Sequence, residues 1–391
     1  MKGGNEEVKT YCFKLYNSKK TRNLKHKINI AGIIYNHCVA LHRRYYRLFH
    51  KSLNKFELQK HLTKLKHREK FSYWNLVPSH AIQDITERVS RAYKLFFENL
   101  KRNVKTSPPR FQKVKKYKSF SYNMVGKNII IGNKIKIAGD YYKFSKSREV
   151  KGNIKILTIK RDSLGDLYVY VVSDESSDTL EARSGKIVGF DFGLKTFLTS
   201  SDGNHIESPL FFKKSSRSIK QLSKKLSRKK SQSHHERARL DLARAHKKIY
   251  NQRRDFHYKT SLMLCREYGV MCFETLNLKG MQRLWGRKVS DLGFYSFMQI
   301  LKYEAYKNGV RIIEIPKYYP SSQTCSECSY KNPEVKNLRI RSWKCPECGA
   351  VNDRDINAAK NILRVGASTL SGDTVRPEQS CSVVDARIHR L

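Results

Sequence analysis

Four cysteines are spaced to hold one metal ion. Cys325 and Cys328 form one CxxC pair, Cys345 and Cys348 form another, and 16 residues separate the pairs. Each pair can present two thiolates to a tetrahedral ion, and the intervening loop is long enough to return. Zn²⁺ suits this set, and rubredoxin-like iron suits the same spacing. All four ligand positions are occupied, so such an ion is structural rather than catalytic. Three acidic positions could do a different chemistry. Asp191 lies between Phe190 and Phe192 in an apolar run, Glu274 ends the run Val270-Met271-Cys272-Phe273, and Asp353 and Asp355 precede Asn357-Ala358-Ala359. An ionised carboxylate among apolar neighbours is costly unless paired or bound to metal. Three of them meeting at one sheet edge would hold two divalent cations, which activate water and stabilise a leaving phosphate oxygen. Oxygen ligands favour Mg²⁺, with Mn²⁺ as a substitute. Taken singly, each acid also fits a turn cap or a partner for one of the 79 Lys and Arg residues.

The charge balance says what those acids would act on. The 391 residues carry 79 Lys+Arg against 34 Asp+Glu, a formal net charge of +45. Such a surface repels itself unless a polyanion neutralises it, and nucleic acid is the leading partner. A ribosome-like structural role and an anionic membrane surface are the competing readings. No window approaches 18 uncharged apolar residues, and the N-terminus lacks a signal-peptide core, so no membrane partner is expected. The nine cysteines are too sparse and odd in number for a secreted disulfide framework. Cys12, Cys38, Cys265 and Cys272 read as small buried hydrophobes in a reducing compartment, the cytoplasm, with the protein on the nucleoid when bound to DNA.

Stepping along the chain, residues 8–16 alternate as a strand and 24–102 read as helical. The clearest helix has Ser79 as its expected N-cap and Ile82, Ile85, Val89, Ala92, Phe96 and Leu100 on one stripe. Pro108-Pro109 closes this region, and the basic, aromatic run Arg110-Phe111-Gln112-Lys113 follows. Strands are expected at 128–131, 134–137, 154–161 and 167–172, with turns at Gly132-Asn133 and Leu164-Gly165-Asp166. Residues 176–184 read as a linker to a new α/β domain. In that domain 211–254 holds 16 Lys/Arg against Glu236 and Asp241, which predicts a long basic helix or a helical hairpin, with a break near 231–235. Lys224, Lys225, Lys229 and Lys230 are its candidate phosphate contacts. Strands at 269–276 and 310–315, a helix at 292–308 and a short helix at 357–363 complete the domain, followed by a loose tail. Tyr45, Tyr46, Phe71, Tyr73 and Trp74 are suited either to base stacking or to core packing.

On these residues the chain resembles TnpB, carried by insertion sequences, and more distantly the compact type V CRISPR effector nucleases. The matching stretches are Gly189-Phe190-Asp191-Phe192-Gly193-Leu194-Lys195, Phe273-Glu274-Thr275-Leu276-Asn277-Leu278, Pro320-Ser321-Ser322-Gln323-Thr324-Cys325 with the four cysteines, and Asp353-Arg354-Asp355-Ile356-Asn357-Ala358-Ala359-Lys360-Asn361-Ile362. Pro109-Arg110-Phe111 also matches, with Arg110 as a nucleic-acid contact. The resemblance implies a multidomain α/β protein with an RNase H-like, RuvC-type nuclease domain at 185–320 and 350–366. It places a zinc-ribbon-like target-nucleic-acid domain at 321–349, a wedge-like β-barrel at 1–22 and 104–180, and a helical recognition domain at 23–103. Residues 367–391 are then a disordered tail. It further implies catalysis by Asp191, Glu274 and Asp355 on two Mg²⁺ ions, with Asp353 and Arg354 adjacent to the site, and one structural Zn²⁺. The implied partners are a guide RNA from the transposon end and target double-stranded DNA, cut beside a short transposon-associated motif; a single chain or an oligomer fits equally. A transposase in the strict sense and a guide-bound, non-cleaving regulator are the alternatives.

Overall fold

A computed structural model describes residues 6–122, 129–176, 184–229 and 231–372. Lys230, Asn128, most of the expected linker and residues 373–391 lie outside them. The chain divides into two compact units that meet in sequence near residue 177.

The first unit is built from β1 (Glu6–Lys14), α1 (Lys19–Phe49), α2 (Lys55–Lys66), α3 (Ser79–Lys101), β2 (Ser119–Tyr122), β3 (Ile130–Ile131), β4 (Lys134–Ile137), β5 (Asp140–Lys143), β6 (Asn153–Arg161) and β7 (Leu167–Ser176). Its strands make an antiparallel sheet in the order β1-β7-β6-β2 and a meander β3-β4-β5, joined by a bridge between Leu15 and Phe144. Among the described residues these are two sheets, and no closed barrel is seen. Helices and strands share one apolar core that includes Leu24, Ile28, Val89, Phe120, Leu157 and Val169. Ser18 and Thr21 cap α1 reciprocally. Ser79, expected as the cap of α3, is instead its first residue. Pro78 takes the cap position and its carbonyl accepts from Ala81 and Ile82. Trp74 and Phe71 pack with the core, whereas Tyr46 and Tyr73 are exposed.

The second unit contains β8 (Ile187–Phe192), β9 (Thr196–Ser200), β10 (His205–Glu207), α4 (Phe211–Arg228), α5 (Gln232–Glu267), β11 (Val270–Glu274), α6 (Leu278–Leu292), α7 (Phe294–Lys307), β12 (Arg311–Ile315), β13 (Ser342–Lys344), β14 (Val351–Asp353) and α8 (Arg354–Gly372). Its mixed sheet runs β10-β9-β8-β11-β12, with β8, β9 and β10 antiparallel in sequence and β8, β11 and β12 parallel. The aromatics flanking Asp191 hold one face of that sheet. Phe190 stacks on Phe273 at 5.2 Å and Phe192 meets Phe294 edge-on at 5.0 Å. The expected basic helix or hairpin is two helices, α4 ending at Arg228 and α5 beginning at Gln232. Among the described residues no helix is long and apolar enough to cross a membrane.

Two elements depart from the expectation. Helix α6 was not foreseen, because Gly280 and Gly286 lower its propensity and Trp285 interrupts its helical dihedrals. Helix α8 starts before the expected 357–363 and runs to Gly372, so 367–372 is helical rather than part of a loose tail. Its periodicity is hidden because a glycine occupies the contact face. A Cβ on Gly366 would lie 2.3 Å from Cys272 Sγ, and one on Gly189 in β8 would lie 2.2 Å from the Ala359 carbonyl oxygen. Backbone contact between helix and sheet therefore needs glycine at both places. Gly189→Ala should lower stability by about 1–3 kcal/mol, the usual cost of overpacking, read as an earlier denaturant midpoint. Gly366→Ala should cost less, since alanine returns up to ~1 kcal/mol of helix propensity.

Candidate functional site

Three elements bring the acids together. Asp191 lies near the end of β8 and Glu274 ends the parallel neighbour β11. The pairing of Phe190 with Phe273 makes Asp191 and Glu274 the next neighbours, on one face of the sheet. Asp355 is the second residue of α8. All three line one cleft of about 1060 Å³. Asp353 has a different task. Its Oδ1 accepts from the amides of Asp355 and Ile356, both at 3.0 Å, so this carboxylate caps α8. Arg341 Nη1 stands 3.6 Å from Asp355 Oδ1. Arg354 is buried, and its guanidinium donates to the carbonyls of Asn337 at 2.9 Å and Ile340 at 3.5 Å. It fastens the preceding loop to the helix start.

Electrostatics at these acids call for cations. Burial pushes Asp191 up to about 8, the negative charges of Asp355 and Glu274 add to this, and Arg354 opposes it. Burial also raises Glu274. A cation would reverse both effects by favouring the ionised carboxylates.

The cysteines form a four-sulfur metal-binding cluster. Their sulfurs all lie within 4.8 Å of one another, with Cys325 to Cys348 at 3.7 Å and Cys328 to Cys345 at 3.5 Å. Tetrahedral ligation at about 2.3 Å requires sulfurs about 3.8 Å apart, so the set fits. Both knuckles share one backbone pattern. Cys325 N–H donates to the Tyr330 carbonyl and Cys345 N–H to that of Ala350, each at 2.8 Å, and Ser329 and Gly349 turn with φ of 68° and 73°. Burial pushes the Cys325 thiol up, but the amides of Cys328 and Glu327 outweigh it and hold it down, to about 6.

Asn357 and Asn361 join this cluster to the acid site, a role the sequence reading missed. Both are buried on α8 and four residues apart. Asn357 Nδ2 donates to the Thr324 carbonyl at 2.7 Å, and its Oδ1 accepts from Ser326 N–H at 2.8 Å. Asn361 Nδ2 donates to the carbonyls of Ser321 and Thr324 at 2.8 and 2.6 Å. The available signal was two amides at helical spacing beside Ala358, Ala359 and Ile362, where a buried polar group must find partners.

The basic candidates scatter. Arg110 is exposed, on a segment held to α1 by Arg43 donating to the Pro109 carbonyl at 2.6 Å and by mutual Asn36–Gln112 bonds at 2.8 Å. Lys224 and Lys229 are exposed, Lys225 lies 3.6 Å from Asp241 Oδ2, and Lys230 is outside the described residues. Lys224, Lys225 and Lys229 do not line the acid cleft. Lys213 and Lys220, on the same helix α4, do.

Residues 168–284 match the family described as "Probable transposase" of the OrfB_IS605 type, and residues 294–362 match "Cas12f1-like, TNB domain". A Streptomyces pristinaespiralis protein named "Putative RNA-guided DNA endonuclease" is 31% identical over 230 residues, 58% of this chain and 56% of that protein. "Putative RNA-guided DNA endonuclease InsQ" of Escherichia coli K12 is 26% identical over 313 residues, 75% of this chain and 76% of its own length. "TnpB-like protein L79" of Acanthamoeba polyphaga mimivirus is 29% identical over 54% of this chain and 43% of its own length. The matched stretch thus spans only about half of the Streptomyces and mimivirus relatives. A solved "Structure of the mini-RNA-guided endonuclease CRISPR-Cas_phi3" aligns over 92% of each chain with a TM-score of 0.47 at 10% identity. The fold is mixed α/β with a four-cysteine metal-binding cluster. Residues 168–284 and 294–362 are thus homologous to the IS605-type transposases and to the Cas12f1-like TNB domain, and the chain is similar in sequence to TnpB-like proteins and to proteins named as RNA-guided DNA endonucleases.

Proposed function

We propose that this chain is an RNA-guided DNA endonuclease of an insertion sequence that hydrolyses phosphodiester bonds beside a short transposon-associated motif. The observation that carries the reading is the convergence of Asp191, Glu274 and Asp355, from two parallel strands and a helix start, in one cleft of a strongly basic chain. Asp191, Glu274 and Asp355 are the residues that would hold two Mg²⁺ or Mn²⁺ ions. Bound there, the ions supply an activated water and stabilise the leaving oxygen. The protein's own part is to hold three carboxylates close despite their repulsion, so that cations are drawn in. Asp353 does this for Asp355 by fixing the helix start, and Arg354, Asn357 and Asn361 do it by tying the cysteine loop to that helix. Zn²⁺ is the ion we assign to the four cysteines, with no open position for chemistry.

On this reading 185–320 and 350–366 form a RuvC-type nuclease domain and 321–349 a zinc-binding target-nucleic-acid domain. The strands of 1–22 and 104–180 form the wedge, and 23–103 the helical recognition element. Guide RNA pairing supplies specificity while the protein grips the heteroduplex backbone, on DNA in the prokaryotic cytoplasm. RNA that co-purifies with the chain should, on sequencing, end in a guide adjoining the transposon end. Recovery of only bulk cellular RNA would contradict the reading.

The outer face of the basic hairpin should contribute affinity rather than selectivity. Changing Lys224, Lys225, Lys229 and Lys230 to Gln should flatten the slope of log affinity against log salt by up to about 3.6 units, or 0.9 per phosphate contact. A smaller change is expected if Lys225 stays with Asp241. Discrimination against mismatched targets should hold. An unchanged slope would make this face a solvated surface only.

A further inference from the structure

The acid cleft has a second wall whose chemistry the carboxylates do not use. Lys213 and Lys220 stand seven residues apart on α4 and both line the cleft, as do Lys195 and Lys288. Among the described residues, none of these four lysines has a carboxylate within 4.0 Å, although four carboxylates, Asp191, Glu274, Asp291 and Asp355, line the same cleft. The cleft therefore carries both charges, carboxylates that call for cations and, on α4, a basic wall that calls for anions. The basic wall is held in place. Buried Asp291 of α6 accepts from the amides of Phe212 at 2.9 Å and Lys213 at 3.1 Å, fixing the start of α4 where its own Leu210 offers no cap. Buried Ile219 anchors the helix beside Lys220. A third kind of surface completes the cleft. Trp285 departs from helical dihedrals (φ −132°, ψ 32°), and it lines the cleft with Met281.

Cation-seeking acids, spaced lysines and an indole together describe a strand of alternating phosphates and bases. We propose that Lys213, Lys220 and Trp285 position the nucleic-acid strand cut at the acids, the two lysines taking phosphates next to the scissile one and Trp285 stacking on a base. The assignment deepens the nuclease reading and rests on it for the scissile phosphate alone. Lys213, Lys220 and Trp285 are positioning residues. They hold the strand and transfer no proton.

Tryptophan fluorescence tests the subsite without requiring cleavage. Of the three tryptophans, Trp74 and Trp343 are buried, at 1% and 7% exposure, whereas Trp285 is half-buried. Titrating a short single-stranded oligonucleotide into the full chain should quench its emission. The quench should vanish in Trp285→Phe and need at least tenfold more oligonucleotide in the Lys213→Gln/Lys220→Gln double variant. Lys259→Gln with Lys302→Gln, exposed charges outside the cleft, should leave the titration unchanged. In parallel, with guide and target saturating, the Lys213→Gln/Lys220→Gln variant should cut at least tenfold more slowly with target affinity within threefold. Trp285→Phe should keep most of the rate that Trp285→Ala loses. Oligonucleotide that fails to quench Trp285, or a double variant that matches the parent in both assays, overturns the subsite. A parent chain that quenches normally but never cuts overturns the nuclease reading and leaves the subsite standing.

Discussion

With Asp191 exchanged for Asn, cutting of guide-matched DNA should fall by about a thousandfold or more while guide-dependent target binding stays near the parental level. Glu274→Gln and Asp355→Asn should behave alike. Losing metal-borne stabilisation of the transition state removes several kcal/mol, and ~4 kcal/mol corresponds to about three decades of rate. Binding is expected to survive because each exchange removes negative charge from the path of a polyanion. Stability should survive too. Asp191 is already held up to about 8 by burial and by Asp355 and Glu274, so a neutral amide relieves a cost. Asp353→Asn is the internal control. Asn caps a helix about as well as Asp, so this variant should cut close to the parental rate. Single-turnover cleavage and a filter-binding isotherm on the same preparations separate the two effects. Near-normal cutting by any one of the three amide variants would remove that residue from the chemistry.

Replacing Cys325 or Cys348 with Ser should release the bound metal and disable both binding and cutting. Metal analysis should fall from about one zinc per chain to none. Structural zinc contributes folding free energy directly, about 10–16 kcal/mol in isolated zinc-finger peptides, so the loop should become a proteolytic target. The loss should then spread to the acid site. The cysteine loop holds α8 through Asn357 and Asn361, and Arg354 holds the loop at Asn337. Asp355 sits in the first turn of that helix. Limited proteolysis within 321–353, compared between the serine variants and Asp191→Asn, distinguishes a folding defect from a chemical one. A metal-free preparation with full activity would show that the cluster has no structural role.

What could be read from the sequence followed from the strength of each local signal. Paired CxxC motifs constrain a chain wherever it folds, and the four sulfurs do converge. Acids embedded in apolar runs were legible because burial makes them expensive, and Asp191, Glu274 and Asp355 do line one cleft. The hairpin of α4 and α5 was legible from charge and periodicity together. Which of its lysines line the cleft was not. The run holding Lys224, Lys225, Lys229 and Lys230 has the greater charge density, yet the cleft takes Lys213 and Lys220, because docking at Asp291 and Ile219 decides which side of α4 faces inward. Helix α6 was hidden by two glycines and a break at Trp285, and the length of α8 by a glycine on its contact face. Asp353 and Asp355 could not be separated by type or burial. The resemblance assigned catalysis to Asp355, and in the structure Asp355 lines the cleft while Asp353 caps α8.

Cleavage of a plasmid carrying a guide-matched site tests the central claim most directly. The purified chain, loaded with the RNA that accompanies it, should linearise that plasmid in Mg²⁺ and leave a 5′-phosphate. It should leave the plasmid intact when guide RNA is omitted, when EDTA is added, or when Asp191 is Asn. Cutting that persists without guide, or a guide-loaded and metal-replete chain that binds the site and never cuts it, would contradict the account.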